Sequence, residues 1–300
     1  MIYTITLNPS IDYVLQTGSI TLGKTNRSLS EEYYIGGKGI NVSCILTELG
    51  INSTVLGFIA GFTGDEIEQK LKEKGICSDL IRLKKGTSRI NIKLRSDSET
   101  EINAQGPDID PDELEILYEK ISAVSDDDTL IIAGNIPKTL PVDTYEMILK
   151  KLANKKVRTV VDASGELLLK CLPYRPFLIK PNKQELSELF DTDADNYTVI
   201  EKLARRLIHM GAQNVLVSLG AEGALLFADD GSTYQTGVIK EKVLSTVGAG
   251  DSMVAGFIAG FEKTHDHRYA LRLGTACANA TAFSQSLASK EKIYEIFGKL

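Results

Sequence analysis

The sequence predicts an α/β fold with a central, mainly parallel sheet covered by helices on both faces. Short apolar runs at 53–60, 129–134, 157–162, 177–180 and 214–219 are mostly rich in Val, Ile, Leu or Phe. Residues 65–74, 110–124, 143–153, 183–190 and 198–210 instead carry apolar residues at helical spacing. Strands joined by helices in this βαβα order pair in parallel and are buried from both sides.

The chain opens on Ile2-Tyr3-Thr4-Ile5-Thr6-Leu7, a strand-like run. Residues 11–35 then stay strand-like without an intervening helix, as do residues 87–104. In the second segment Ile90, Ile92 and Leu94 alternate with Arg89, Asn91, Lys93 and Arg95, giving one greasy and one cationic face. The two segments predict a small antiparallel sheet projecting from the main body. No Gly, Ser or Pro linker sets them apart, so they read as an inserted lid within one domain spanning residues 1–300. A further strand is expected at 224–228, and from Asp251 the chain reads as helices ending near Leu300.

With 300 residues the chain can hide roughly three quarters of its unfolded surface. A net charge of −6 argues against nucleic acid as a partner, which needs a basic face. No uncharged apolar run reaches the ~18 residues that span a bilayer, so no membrane partner is expected. Cys44, Cys77, Cys171 and Cys277 are far apart and form no C-x-x-C, which predicts reduced thiols and a cytoplasmic protein.

Residues 246–257, Thr246-Val247-Gly248-Ala249-Gly250-Asp251-Ser252-Met253-Val254-Ala255-Gly256-Phe257, are the most informative stretch. Two glycines precede an apolar helix with a carboxylate in its first turn. Backbone N–H groups of Gly248, Ala249 and Gly250 would converge on one spot, where the helix dipole favours an anion. Such a nest suits a transferring phosphoryl group, and Asp251 could take the proton of an attacking hydroxyl. An ordinary first-turn Asp explains the isolated string equally well.

Gly36-Gly37-Lys38-Gly39-Ile40-Asn41-Val42 is a second turn entering a helix, with Lys38 and Asn41 as donors. It is either a ligand loop or a tight turn. Lys180-Pro181-Asn182-Lys183-Gln184-Glu185 ends a strand and starts a helix, with Asn182 and Glu185 three apart on one face. They could hold Mg²⁺ through its waters, or simply cap the helix. Ser218-Leu219-Gly220-Ala221-Glu222-Gly223-Ala224 follows another strand and is either a nucleotide-facing turn or a plain hairpin.

In this order the strings resemble the ribokinase-like (PfkB-type) sugar kinase family, from Ile2 to about residue 285. Its signatures are the Gly-Gly-Lys-Gly-x-Asn-Val and Gly-Ala-Gly-Asp loops. Thr4-Ile5-Thr6-Leu7-Asn8-Pro9-Ser10-Ile11-Asp12 and Thr87-Ser88-Arg89-Ile90-Asn91-Ile92-Lys93 look like the branch acting on phosphorylated hexoses. Thr100-Glu101-Ile102-Asn103-Ala104-Gln105-Gly106-Pro107 is most similar to 1-phosphofructokinases, with tagatose-6-phosphate kinases next.

The resemblance implies a three-layer α/β/α domain with a β-sheet lid. It also implies ATP-dependent conversion of fructose 1-phosphate to fructose 1,6-bisphosphate, with Mg²⁺. Asp251 then matches the catalytic base, and Gly248, Ala249 and Gly250 the anion hole. Asp12, Gly37 and Asn41 match sugar contacts, while Lys38, Arg89 and Asn91 match groups near the phosphates. Lys180, Asn182 and Glu185 match the ATP–Mg²⁺ segment, and Ser218, Gly220 and Gly223 the nucleotide turn. The lid implies closure over the substrate. Its apolar face, marginal alone, predicts a homodimer assembled through the lids. One departure is Ala133-Gly134-Asn135-Ile136-Pro137, where the family usually has Ser-Gly-Ser-x-Pro. A tagatose-6-phosphate kinase is the nearest alternative, and a non-catalytic regulator binding a sugar phosphate or nucleotide is the alternative of a different class.

Overall fold

The computed structural model describes residues 1–237 and 239–300. Nine strands make the large sheet: β1 (Ile2–Thr6), β4 (Thr54–Ile59), β5 (Cys77–Arg82), β8 (Thr129–Ala133), β9 (Arg158–Asp162), β10 (Leu178–Ile179), β11 (Asn214–Ser218), β12 (Ala224–Ala228) and β13 (Thr233–Gln235). Their order is β13-β12-β11-β10-β9-β8-β1-β4-β5. Seven run parallel, and the hairpin strands β12 and β13 close one edge antiparallel.

Strand side chains alternate between the two faces, and each face has its own helix layer. Leu130, Ile132, Val161, Ile179, Val215 and Val217 meet α3 (Pro111–Ser122), α4 (Thr144–Leu152), α5 (Gly165–Cys171), α6 (Lys183–Phe190) and α7 (Tyr197–His209). On the other side Ile131, Val160, Leu178 and Leu216 meet α1 (Lys38–Glu48), α8 (Ala249–Thr264), α9 (His267–Ala282) and α10 (Lys290–Lys299). A third cluster joins α2 (Gly61–Glu73) to Ile40, Val55 and Ile59. Small residues let α8 and α9 meet closely. A Cβ on Gly256 would lie 2.8 Å from the Leu273 carbonyl oxygen, and one on Gly274 would lie 2.8 Å from that of Met253.

The smaller sheet takes its strands from the two segments that break the alternation: β2 (Ser10–Thr17), β3 (Ser28–Gly36), β6 (Arg89–Arg95) and β7 (Glu99–Ile102), in the order β3-β2-β6-β7. It is mixed, not antiparallel as expected, because β2 and β6 pair in parallel from Ser10↔Arg89 to Gln16↔Arg95. The physical reason is connectivity: β6 returns to β2 only after the chain has crossed through β4 and β5, which frees it from hairpin geometry. The cationic side of β6 turns inward, with Asn91 and Lys93 buried, while Ile90 on the greasy side is exposed.

The helix boundaries lie within four residues of expectation, the largest gap being the start of α2. Helix α5 and strand β5 are not anticipated by the sequence pattern, since each is short and polar enough to lose its period.

Candidate active site

The N-terminus of α8 lies at the carboxyl ends of the parallel strands, where open α/β sheets expose ligand sites. Gly248 adopts φ 77°, a left-handed turn that favours glycine, and a Cβ there would approach Leu287 Cδ2 to 2.7 Å. The Ala249 N–H reaches back to the Thr246 carbonyl at 3.3 Å, so the nest is not three free donors as expected. The N–H groups of Gly248, Gly250 and Asp251 find no acceptor among the described residues.

Asp251 is 4% exposed, and its Oδ2 accepts the Asn41 Nδ2–H at 2.8 Å. Burial pushes its pKa up to about 6, and the nearby Asp162 charge adds to the rise; the Asn41 bond, Lys38 and Lys180 pull the other way. The dipole of α8 therefore does not keep this carboxylate strongly acidic. A carboxylate raised to about 6 could act as a base near neutral pH.

On one side of this helix end, α1 begins at Gly37, whose φ of 121° turns the chain into the helix. Lys38 Nζ lies 3.4 Å from Asp162 Oδ2, and Asn41 holds Asp251 as described. From the smaller sheet, Asp12 Oδ1 accepts both Ser10 Oγ and Asn91 Nδ2 at 2.8 Å. Arg89 is half-buried; its Nε donates to the Asn8 carbonyl at 3.1 Å, leaving its terminal nitrogens without protein acceptors among the described residues. A cavity of about 340 Å³ runs between these elements, with Asp12, Asn41, Lys93, Arg95 and Gly248 in its wall. Gly37, Lys38, Arg89 and Asn91 are outside that wall. Asn135 is exposed.

On the other side lies a second cavity of about 690 Å³, lined among others by Lys180, Asn182, Ser218, Gly220, Gly223, Ala249 and Gly250. Its two strand-end segments are stitched together by a bridge between Asn182 and Ser218, with Ser218 N–H donating to the Pro181 carbonyl at 3.1 Å. Asn182 and Glu185 form a reciprocal capping box on α6, each backbone N–H reaching the other's side chain at 2.8 Å. The capping role is therefore real. It occupies Glu185 Oε2 and leaves Oε1 without a protein donor among the described residues. Gly220 opens a single 3₁₀ turn and Gly223 caps its end, both with positive φ.

Two residues that motif reading does not find complete the arrangement. Asp162 ends β9, is 4% exposed, and faces Lys180 Nζ and Lys38 Nζ at 3.4 Å each. Burial works against its charge, but the two lysines outweigh it and hold its carboxyl below the usual range. Lys180 also abuts the nest, because a Cβ on Gly250 would lie 3.1 Å from its Nζ. The available signal for Asp162 is its place at the carboxyl end of a parallel strand. Lys93 is the second, and the period-two pattern already puts it on the face of Arg89 and Asn91.

Two cavities that flank one Gly-rich helix end, with a buried carboxylate behind it and lysines on either side, have a geometry that could bring two ligands to one point. The model of the pfkB family carbohydrate kinases matches residues 4–293. The chain belongs to this family. It is 42% identical to the 1-phosphofructokinase of Bacillus subtilis (strain 168), over 99% of this chain and 97% of that one. It is 37% identical to the D-tagatose-1-phosphate kinase of Bacillus licheniformis, over 98% of this chain and 96% of that one. The tagatose kinase found is thus named for the 1-phosphate, not the 6-phosphate that the sequence suggested. Phosphofructokinase-2 from Escherichia coli, solved with substrates and products, superposes with a TM-score of 0.93 at 28% identity, covering 100% of this chain and 99% of that one. As in other carbohydrate kinases, an acceptor sugar and a phosphoryl donor must both reach one point. No helix among the described residues is long and apolar enough to cross a membrane.

Proposed function

We propose that the protein transfers the γ-phosphoryl group of ATP to the free primary hydroxyl of fructose 1-phosphate, giving fructose 1,6-bisphosphate. The observation that carries this reading is that Gly248 lines one cavity and Ala249 and Gly250 line the other, directly before buried Asp251 in the chain. The relatives named for fructose and tagatose 1-phosphates support a ketose 1-phosphate as acceptor.

The acceptor enters the cavity of Asp12 and Asn41, where these two side chains orient its hydroxyls, while Asn91 acts through Asp12 by holding its Oδ1 and Gly37 shapes the turn into α1. Asp251 Oδ1, which accepts no protein donor among the described residues, takes the proton as the sugar oxygen bonds to the γ-phosphorus. The bond from that phosphorus to the leaving ADP oxygen breaks on the opposite side. Phosphoryl transfer of this kind is governed by positioning and charge, so the free N–H groups of the nest and the Lys38 and Lys180 ammoniums do most of the stabilising. Lys180, Ser218, Gly220 and Gly223 hold ATP, and Arg89 with Lys38 neutralises phosphate charge. Among the described residues no three His, Cys, Asp or Glu cluster to cage a metal. The single open oxygen of Glu185 fits Mg²⁺ held through water, which would neutralise the triphosphate.

Tagatose 1-phosphate, the C4 epimer, is the second reading, carried by the tagatose kinase relative. The enzyme works in the cytoplasm as a homodimer joined through the smaller sheets, which close as lids. Coupled ATP consumption with fructose 1-phosphate, fructose 6-phosphate, tagatose 1-phosphate and tagatose 6-phosphate tests the assignment. Fructose 1-phosphate should give the highest kcat/KM. No ATP consumption with any of the four would overturn the kinase reading in favour of a binding protein.

A further inference from the structure

Lys93 lies on β6, two residues beyond Asn91, and is only 8% exposed. A lysine on a strand at the edge of solvent normally runs its stem along the surface and keeps its ammonium in water. This one turns inward. Its Nζ lies 3.4 Å from Asp12 Oδ2 and 3.7 Å from Glu101 Oε1, its partner across the β6–β7 pair. It also stands in the wall of the 340 Å³ cavity that reaches Asn41 and Gly248, with Arg95 beside it and Glu99 paired to Arg95 at 3.6 Å.

Pairing with Glu101 alone would satisfy Lys93 as a structural cross-strand pair. Contact with Asp12 does something more, because Asp12 already accepts Ser10 and Asn91 through Oδ1. Two hydrogen bonds fix that carboxylate without help. The ammonium on Oδ2 therefore sets a nearly buried N–H donor beside the position where the acceptor's hydroxyls dock. A buried charge is costly to keep without a counter-charge, and here Asp12 and Glu101 supply it.

We propose that Lys93 is a specificity-determining residue of the acceptor site, whose ammonium takes the phosphate the sugar already carries. This rests on the kinase reading above and names what makes the acceptor a sugar phosphate and not a free sugar. Arg95, further along the same face and paired with Glu99, is a second cation in that wall. A phosphate arriving there would draw Lys93 from Glu101, which is more than a third exposed and loses little by returning to water.

Steady-state kinetics on the full-length chain, with inorganic phosphate as an inhibitor competitive with the sugar, tests this. Lys93→Met should raise KM for fructose 1-phosphate and Ki for inorganic phosphate in parallel, by roughly tenfold or more. The KM for ATP and kcat should change by less than about threefold, and Lys93→Arg should restore most of both constants. A fall in kcat with phosphate Ki unchanged would mean that Lys93 only props Asp12, and would overturn the proposal. Should Lys93→Met unfold, Lys93→Arg and Lys93→Gln compared at equal thermal stability carry the same contrast. Should the wild type prefer another phosphorylated ketose, the acceptor assignment falls, while phosphate Ki measured against that ketose still judges Lys93.

Discussion

Asn41 donates its Nδ2–H to Asp251 Oδ2 across 2.8 Å, joining the two Gly-rich loops over 210 positions of chain. The bond stabilises the ionised carboxylate against burial and the Asp162 charge, with Lys38 and Lys180 as the other favourable neighbours. Removing it in Asn41→Ala should raise the Asp251 pKa above about 6. A base must be deprotonated to act, so activity rises with pH through its pKa. The acid limb of the kcat–pH profile should accordingly move toward higher pH in the variant. A limb that stays in place would detach Asp251 from that titration.

Asp251→Asn should abolish turnover and leave the affinities for ATP and sugar phosphate within a few-fold. General-base assistance is worth about 10²–10⁴ in rate. Retention of more than about a tenth of wild-type kcat would remove Asp251 from the role of base.

The same substitution should stabilise the fold. The Asp251 pKa rises from 3.8 to about 6 on folding, so between those values the folded chain holds a proton that the unfolded chain has released. Stability therefore falls as pH climbs through that window and stays lowered at neutral pH. The cost is about 3 kcal/mol, from about 1.4 kcal/mol per pKa unit. An amide in place of the carboxylate carries no charge at any pH in this range. Denaturant titration at neutral pH should therefore find Asp251→Asn the more stable protein, with the gap closing below pH 3.8. Equal stability at both pH values would show that the buried carboxylate carries no such strain.

The sequence made the layer order legible because parallel strands buried on both faces, such as 129–133, leave apolar runs that polar neighbours cannot imitate. Both Gly-rich loops were legible for a different reason, since their glycines and single charges have few other uses. What stayed hidden depends on distant partners. Asp162 is an ordinary strand-end carboxylate until Lys38, from 124 positions earlier, folds onto it. The pKa of Asp251 escapes the sequence for the same cause: the α8 dipole is local and visible there, whereas burial and Asp162 are tertiary. Parallel pairing of β2 with β6 likewise follows from where the chain has been in between.

Asp162→Ala should destabilise the protein markedly, because it strands the Lys180 ammonium, 7% exposed, in a buried site, whereas Lys38 is 45% exposed and can turn to water. Breaking a buried pair from one side typically costs about 3–5 kcal/mol. Urea unfolding at neutral pH reads this directly. A loss below about 1 kcal/mol would mean that the lysines turn out to solvent, in which case their place beside the nest is not fixed by Asp162.

Arg89→Ala should raise KM for fructose 1-phosphate roughly tenfold or more and leave KM for ATP nearly unchanged. Its Nε is fixed on the Asn8 carbonyl, which aims the free terminal nitrogens while they await an anion. An unchanged sugar-phosphate KM would leave Arg89 as a brace for Asn8 only.

The outer face of the smaller sheet sets the last expectation. Tyr13 and Ile92 are partners across β2–β6, as are Leu15 and Leu94, and Ile92 faces Ile102 across β6–β7. Ile102 is 58% exposed and Leu29 75%, so this face keeps apolar surface in water. A four-stranded sheet with polar groups inward gains little from its own core, and a second copy of the same face would cover both. Twofold symmetry closes such a contact without leaving a free patch. Light scattering at micromolar concentration should then return about twice the 32.8 kDa of one chain. Ile92→Lys should return one chain mass while circular dichroism shows the fold intact. Single-chain mass for the wild type would exclude a stable dimer, and a dimer that survives Ile92→Lys would place the interface on another surface.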